Sequence, residues 1–274
     1  MRVSEAEQVV DEILNRVGKR VVLATQLGLG KPVQILNALY RRAKNDPRLH
    51  LTIITGLTLL RPKIKNDLGQ RLLGPYLARV FGDYEDLQFE LDRRACALPS
   101  NVRVIEFFFT AAAYLHNAKA QQNFICSNYT HVVRDGLQYG INVVAMVLAE
   151  RATDRRRLSM SCNADLINDL LQKMKGIMVV GEINHNLPYM FGSEVEIEAA
   201  QVDAILENQH SHRHLFSLPK VMVTDQEFMI GLYVSSLIKD DGCLQIGIGS
   251  LNDAIVYSLI MRHTKNQQYT DVFE

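Results

Sequence analysis

Hydrophobic positions fall into two rhythms along the chain. Val9, Val10, Ile13 and Leu14 recur at helical spacing over residues 4–16, with Ser4 placed to cap a helix and Gly18 to end it. "RVVLATQ" is a near-continuous apolar run that reads as a buried strand, "GLGKP" as a turn, and "VQILNALYRRAKN" as a helix whose start Pro32 favours. "LHLTIITG" (49–56) is a second such run, so the pattern is βαβ and implies a parallel sheet.

The alternation continues. "NVRVIEFFF" after Pro99, "HVVRDG", "INVVAMVLAE" and "GIMVVGEIN" (176–184) read as further strands, with a helix "NADLINDLLQKMK" before the last. Residues 61–94, mixed in charge and carrying Pro62 and Pro75, read as helices and loops outside the sheet. The whole predicts a three-layer α/β/α arrangement around a mostly parallel sheet. "ENQHSHRHLFSLPK" (207–220) has no period and reads as a linker, dividing the chain into a domain at 1–217 and a second region at 218–274.

A repeat crosses that divide. "QLGLGKPVQILNAL" begins at Gln26 and "QIGIGSLNDAIVYSL" at Gln245, so Gln26, Gly28 and Gly30 match Gln245, Gly247 and Gly249. An amphipathic helix and a glycine, Gly18 or Gly242, precede each. The second copy therefore reads as the first βα unit of a similar, incomplete domain. A lone βα unit leaves its strand uncovered, so residues 243–248 are expected to pack on the first domain or pair with a second copy of the chain.

Composition narrows the chemistry. Of 274 residues 47% are apolar and 22% charged, and 30 basic residues balance 30 acidic ones, so bulk charge gives no argument for a nucleic-acid partner. Cys96, Cys126, Cys162 and Cys243 form no CxxC pair, which argues against a metal knuckle and for a reducing, cytoplasmic setting. The N-terminus lacks a targeting pattern, and "VIEFFFTAAAYL" (104–115) reads as buried strand and helix, with no run near the ~20 apolar residues of a membrane span.

Glycines at 247 and 249 let the backbone turn sharply and approach a ligand closely, and a helix starting near Leu251 presents unpaired N–H groups to a phosphate or oxyanion. A dinucleotide fingerprint needs a third glycine, where Asn252 and, in the first copy, Val33 stand instead.

"GIGSLNDAI" resembles the GIGxxxxA motif of the acetyl-CoA hydrolase/transferase family, class I CoA-transferase-type enzymes that include 4-hydroxybutyrate and succinyl-CoA:acetate CoA-transferases. In order along the chain, "GLGKPVQILNAL" is similar to that family's N-terminal turn and helix, "LSMSCNADL" to its "CSLGVSVDL", and "GIMVVGEINHNLPYMFG" to its "AKLVIAEVNPNMPRTFG". Two departures stand out: "AERATDRRR" (149–157) replaces an S-P-x-D-x-x-G segment, and Tyr189 replaces an arginine after the proline.

The resemblance implies ping-pong acyl transfer between an acyl-CoA, such as acetyl-CoA, and a small carboxylic acid or water, with coenzyme A as substrate and no separate cofactor. A glutamate, ionised at neutral pH because its ordinary pKa is ~4.3, attacks the thioester and passes through a glutamyl-CoA intermediate. The family places that glutamate beyond the GIG turn in a motif that this sequence does not contain, and Glu274 is not assigned the role. The backbone of Ser250 and Leu251 is where an oxyanion donor is expected. Gly28, Gly30, Asn184, Gly247, Gly249 and Asn252 are the expected substrate or CoA contacts, in a homodimer. The alternative is a catalytically incomplete CoA-binding or interaction domain.

Other residues carry plainer readings. His210, His212 and His214 alternate without a matching acid or cysteine group and read as a solvated loop rather than a metal site. The arginines of 151–157 suit either CoA phosphates or solvent, Glu182 and Asn184 either a ligand or a turn, and Asn252 and Asp253 a helix cap. Cys162 reads as packing.

Overall fold

The computed structural model describes residues 1–216 and 221–273, and the chain divides into two compact units, Met1–Phe216 and Ser217–Glu274. In the first, β1 (Arg2–Val3), α1 (Ala6–Val17), β2 (Arg20–Thr25), α2 (Val33–Asn45) and β3 (His50–Thr55) realise the βαβ pattern. Gly18 ends α1 at φ 73°, while Glu5 rather than Ser4 occupies the capping position, in a reciprocal box with Gln8. Next come α3 (Asp67–Phe81), α4 (Gln88–Arg94), β4 (Val102–Glu106), α5 (Ala118–Gln122), α6 (Val132–Leu137), β5 (Val143–Arg151) and β6 (Asp154–Ser159). α7 (Ala164–Lys173), β7 (Met178–Ile183), β8 (Glu196–Glu198) and β9 (Ala204–Leu206) complete the unit.

The sheet runs β1-β9-β7-β5-β2-β3-β4, every neighbour parallel. Alternate strand residues separate two cores. Val21, Leu23, Leu51, Ile53 and Val143 pack with Val9 and Ile13 of α1 and Ile35, Leu36 and Leu39 of α2. Val22, Ala24, Ile54, Val144 and Met146 pack with Val132 of α6 and Ile167 and Leu170 of α7. The result is the expected three-layer α/β/α arrangement, in which continuous apolar strands are buried on both faces.

Three expectations change. "HVVRDG" is helical: Val132 and Gly136, four residues apart, are buried on one side of α6. The arginine-rich run is β6, antiparallel to β5 with β8 beyond it; Leu158 and Ser159 are buried while Arg155, Arg156 and Arg157 are exposed. Residues 207–216 are held rather than free, since Ser211 O accepts from His185 N at 2.7 Å and Phe216 packs on Phe81 and Tyr84. The rest of that expected linker, 217–220, lies outside the described residues.

The second unit contains α8 (Asp225–Leu237), α9 (Ser250–Thr264) and α10 (Asn266–Thr270). A Cβ on Gly231 would lie 2.8 Å from the carbonyl of Ala254, so the glycine permits the close crossing of α8 and α9. The expected strand at 243–248 is absent from every ladder among the described residues, and it is exposed, Ile248 at 89%. Among the described residues, 243–248 therefore form no strand of a βα unit. No other strand lies in this unit among the described residues, and a strand cannot satisfy its backbone without a neighbour. No helix among the described residues is long and apolar enough to cross a membrane.

Candidate functional site

After β2, successive connections lead to β3 and β4 on one side, whereas β5, on the other side, leads toward β7 and β9. The crevice at the carboxyl ends of β2 and β5 is therefore a topological switch point, the usual ligand position in such sheets. Gln26 bolts this corner together. Its Nε2 donates to Asn163 O at 3.2 Å, its Oε1 accepts from Val147 N at 3.0 Å, and its carbonyl accepts from Thr55 Oγ1 at 3.1 Å.

Gly28 and Gly30 follow in a single 3₁₀ turn. Gly28 has φ 51° and its N–H donates to Leu57 O at 3.1 Å, so it serves the turn's geometry. Gly30 serves close approach: a Cβ there would lie 2.7 Å from Asn163 Cγ and 2.8 Å from Gln26 Cβ. The first glycine turn thus touches the segment Ser161–Asn163. That segment in turn adjoins the loop after β7, because Ser159 Oγ donates to Met190 O at 2.9 Å and accepts from Met190 N at 3.2 Å. Ser161 is buried with φ 55°, a left-handed conformation unusual for serine, and its hydroxyl has no partner among the described residues. Cys162 is exposed, contrary to the packing expectation.

The N-terminus of α2 is already occupied. Glu182, fully buried at the end of β7, accepts from Gln34 N at 3.0 Å, Ile35 N at 3.3 Å and Gln34 Nε2 at 3.1 Å, and it pairs with Arg213. Its carboxylate neutralises the helix dipole that a phosphate would otherwise use, so Glu182 is a structural anion and not a ligand-facing one. Asn184 takes the turn role: Oδ1 accepts from Asn186 N at 3.1 Å and Nδ2 donates to Arg213 O at 3.3 Å. It also lines a small cavity with Leu29, Lys31, Tyr84 and Arg213.

Lys31 was not anticipated. It is buried, its Nζ donates to Gly56 O at 2.6 Å and Leu57 O at 3.2 Å, and burial, partly offset by Glu106, lowers its pKa to about 7. The signal in the sequence was a lysine enclosed between the second glycine of the turn and Pro32.

The remaining candidates lie in the second unit. Gly249 has φ 144° and precedes α9, whose first backbone bond runs from Asp253 N to Gly249 O at 3.0 Å. The N–H groups of Ser250, Leu251 and Asn252 are therefore without intrahelical partners, as at any helix start. Ser250 Oγ donates to Glu227 Oε1 at 2.5 Å, and Glu227 itself closes a capping box with Thr224. Asn252 Nδ2 lies 3.4 Å from a Cβ built on Gly247.

Of the arginines at 151–157, Arg155 pairs with Glu150 and Glu207, Arg157 with Glu198, and Arg151 lies over the rings of Tyr189 and Phe191. Among the described residues no group of three His, Cys, Asp or Glu could hold a metal ion; His212 stacks on His185.

The fold has a counterpart among solved structures. RipA from Yersinia pestis superposes with a TM-score of 0.65 at 20% identity, covering 94% of this chain and 53% of RipA. The fold is shared with RipA. A RipA point mutant superposes equally, at 0.65 and 20%, over 94% of this chain and 52% of its own. Among curated proteins, 89 residues are 35% identical to 4-hydroxybutyrate coenzyme A transferase of Clostridium kluyveri, covering 32% of this chain and 19% of that enzyme. No family model matches the chain. The chain thus spans about half the length of RipA, with a distant, local similarity to a CoA transferase.

Proposed function

We propose that this chain supplies the acyl-CoA-binding part of a CoA-transferase or acyl-CoA hydrolase. The carrying observation is the convergence of three segments at the switch point: the turn Gly28–Gly30, the segment Ser161–Asn163, and the loop from Asn184 to Met190. These are the segments that resemble the acetyl-CoA hydrolase/transferase family, and the local similarity to a CoA transferase supports the same chemistry.

In this reading Gly28 and Gly30 let the turn pack closely against Gln26 and Asn163, and the rim at exposed Cys162 and half-buried Asn163 meets the ligand. Ser250 and Leu251 offer backbone N–H groups to an oxyanion, and Gly247, Gly249 and Asn252 shape that turn. A glutamate that follows the second glycine turn in the full enzyme attacks the thioester, the released CoA thiolate then expels the acyl group as its carboxylate from the resulting anhydride, and the glutamyl-CoA so formed passes its CoA to an acceptor acid or is cleaved by water, in a homodimer.

Two measurements test this. Equilibrium dialysis with acetyl-CoA gives saturable binding if the reading holds; absence of saturable binding overturns it. Incubation with acetyl-CoA and an acceptor acid then separates roles, since sustained turnover identifies a working enzyme and binding without turnover a CoA-binding domain.

A further inference from the structure

The sheet carries a second polar concavity at the opposite ends of its strands. On the face that packs against α6 and α7, β2 presents Arg20 and Val22, β3 His50 and Thr52, and β4 Arg103. The register places Arg20 beside His50, Val22 beside Thr52 and Thr52 beside Arg103. Farther along the same face these strands continue as Ala24, Ile54 and Ile105, all buried. The amino-terminal portion of the face is left open, as a cleft of about 540 Å³ bounded also by Ser100, Asn101, Gln138 and Tyr139.

Two properties set this cleft apart. A parallel sheet covered on both faces is ordinarily apolar along its strands, yet here two guanidinium groups and an imidazole occupy adjacent strands on one face. Among the described residues no carboxylate lines the cleft, and neither Arg20 nor Arg103 makes an ion pair with any of them. Arg103 donates through Nε to Asn123 Oδ1 and lies 5.8 Å from the Tyr139 ring. The nearby acid, Asp46, is already engaged by Lys19 and Arg48. Arg20 on β2 and Arg103 on β4 flank β3 with no carboxylate lining the cleft between them, a local excess of positive charge that attracts an anion.

We propose that this cleft binds a small phosphate-bearing ligand with at least two negative charges, held by Arg20, His50 and Arg103 with the hydroxyls of Thr52 and Ser100. Guanidinium forks match phosphate oxygens, and the volume lies within the range of small-molecule sites. The site is separate from the switch-point crevice, at the other end of the same strands.

Calorimetric titration of the intact chain with pyrophosphate and with ADP tests it. Saturable binding is expected, weakened at least tenfold in the Arg20→Ser, Arg103→Ser double variant, whose two positions are exposed. His50→Gln, which keeps both arginines, is expected to weaken binding about threefold and serves if the double variant does not fold. ADP binding tighter than pyrophosphate would add a contact between the base and Tyr139, and equal affinities would assign recognition to phosphate alone; both support the site. No saturable binding of either probe, or equal affinity in a folded variant, overturns it.

Discussion

The stretches Gln26–Gly30 and Gln245–Gly249 share a pattern of residues and differ in structure. The first follows β2, which is paired on both sides and buried; the second follows an exposed segment with no ladder. Even their glycines differ in purpose. Gly28 has positive φ and Gly30 is crowded, whereas in the second stretch Gly249 has positive φ and Gly247 meets only the flexible end of Asn252. A strand, turn and helix pattern thus encodes the turn and the helix locally, while the strand needs neighbours to pair with.

The largest expected effect bears on how the first turn is anchored. Glu182→Ala would leave Arg213 buried without its partner and two N–H groups of α2 unsatisfied, lowering unfolding free energy by about 3–5 kcal/mol in urea denaturation. A loss under about 1 kcal/mol would remove Glu182 from the anchor.

Next, Gly30→Ala should cost about 1–3 kcal/mol, because its Cβ meets two side chains in a packed corner. Gly247→Ala, by contrast, should change stability by less than about 0.5 kcal/mol. Equal effects in thermal unfolding would erase the contrast between the turns.

A smaller effect is a pH dependence. Burial lowers Lys31 from 10.5 to about 7, so across that interval the unfolded chain holds a proton that the folded chain has released. Unfolding free energy should therefore rise with pH from about 7 toward 10.5, and be lost again as pH falls back to about 7. Lys31→Met should flatten the rise; an unchanged slope between about pH 7 and 10 would refute the assignment.

Much of the first unit was legible because its signals are local. α2 spans the expected Val33–Asn45, and β2, β3, β5 and β7 are long apolar runs whose burial on both faces matches a parallel sheet. The short strands β1 and β9 escaped, since two or three residues carry no period and are fixed by pairing Arg2 with Ile205 across the whole unit. β6 escaped because its outward arginines look like a solvated run until Glu150, Glu198 and Glu207 are seen opposite them.

For the site, the sequence singled out Gly28, Gly30 and Asn184, and the structure brings the first turn to Asn163 and Asn184 to the cavity beside Lys31. The occupation of the α2 N-terminus by Glu182 was not legible, because it joins residues 148 positions apart. Ser250, Leu251 and Asn252 lie in the other unit, where their helix start is as expected but the preceding strand is not.

Acyl-CoA, on the proposed function, is held where the three segments of the first unit meet. Hydrogen–deuterium exchange of the chain with and without saturating acetyl-CoA tests this most directly. Slower exchange at residues 27–31 and 160–164, with 50–53 and 101–104 unchanged, is the predicted result. Protection only in parts of the first unit outside 27–31, 160–164 and 184–190 would contradict it.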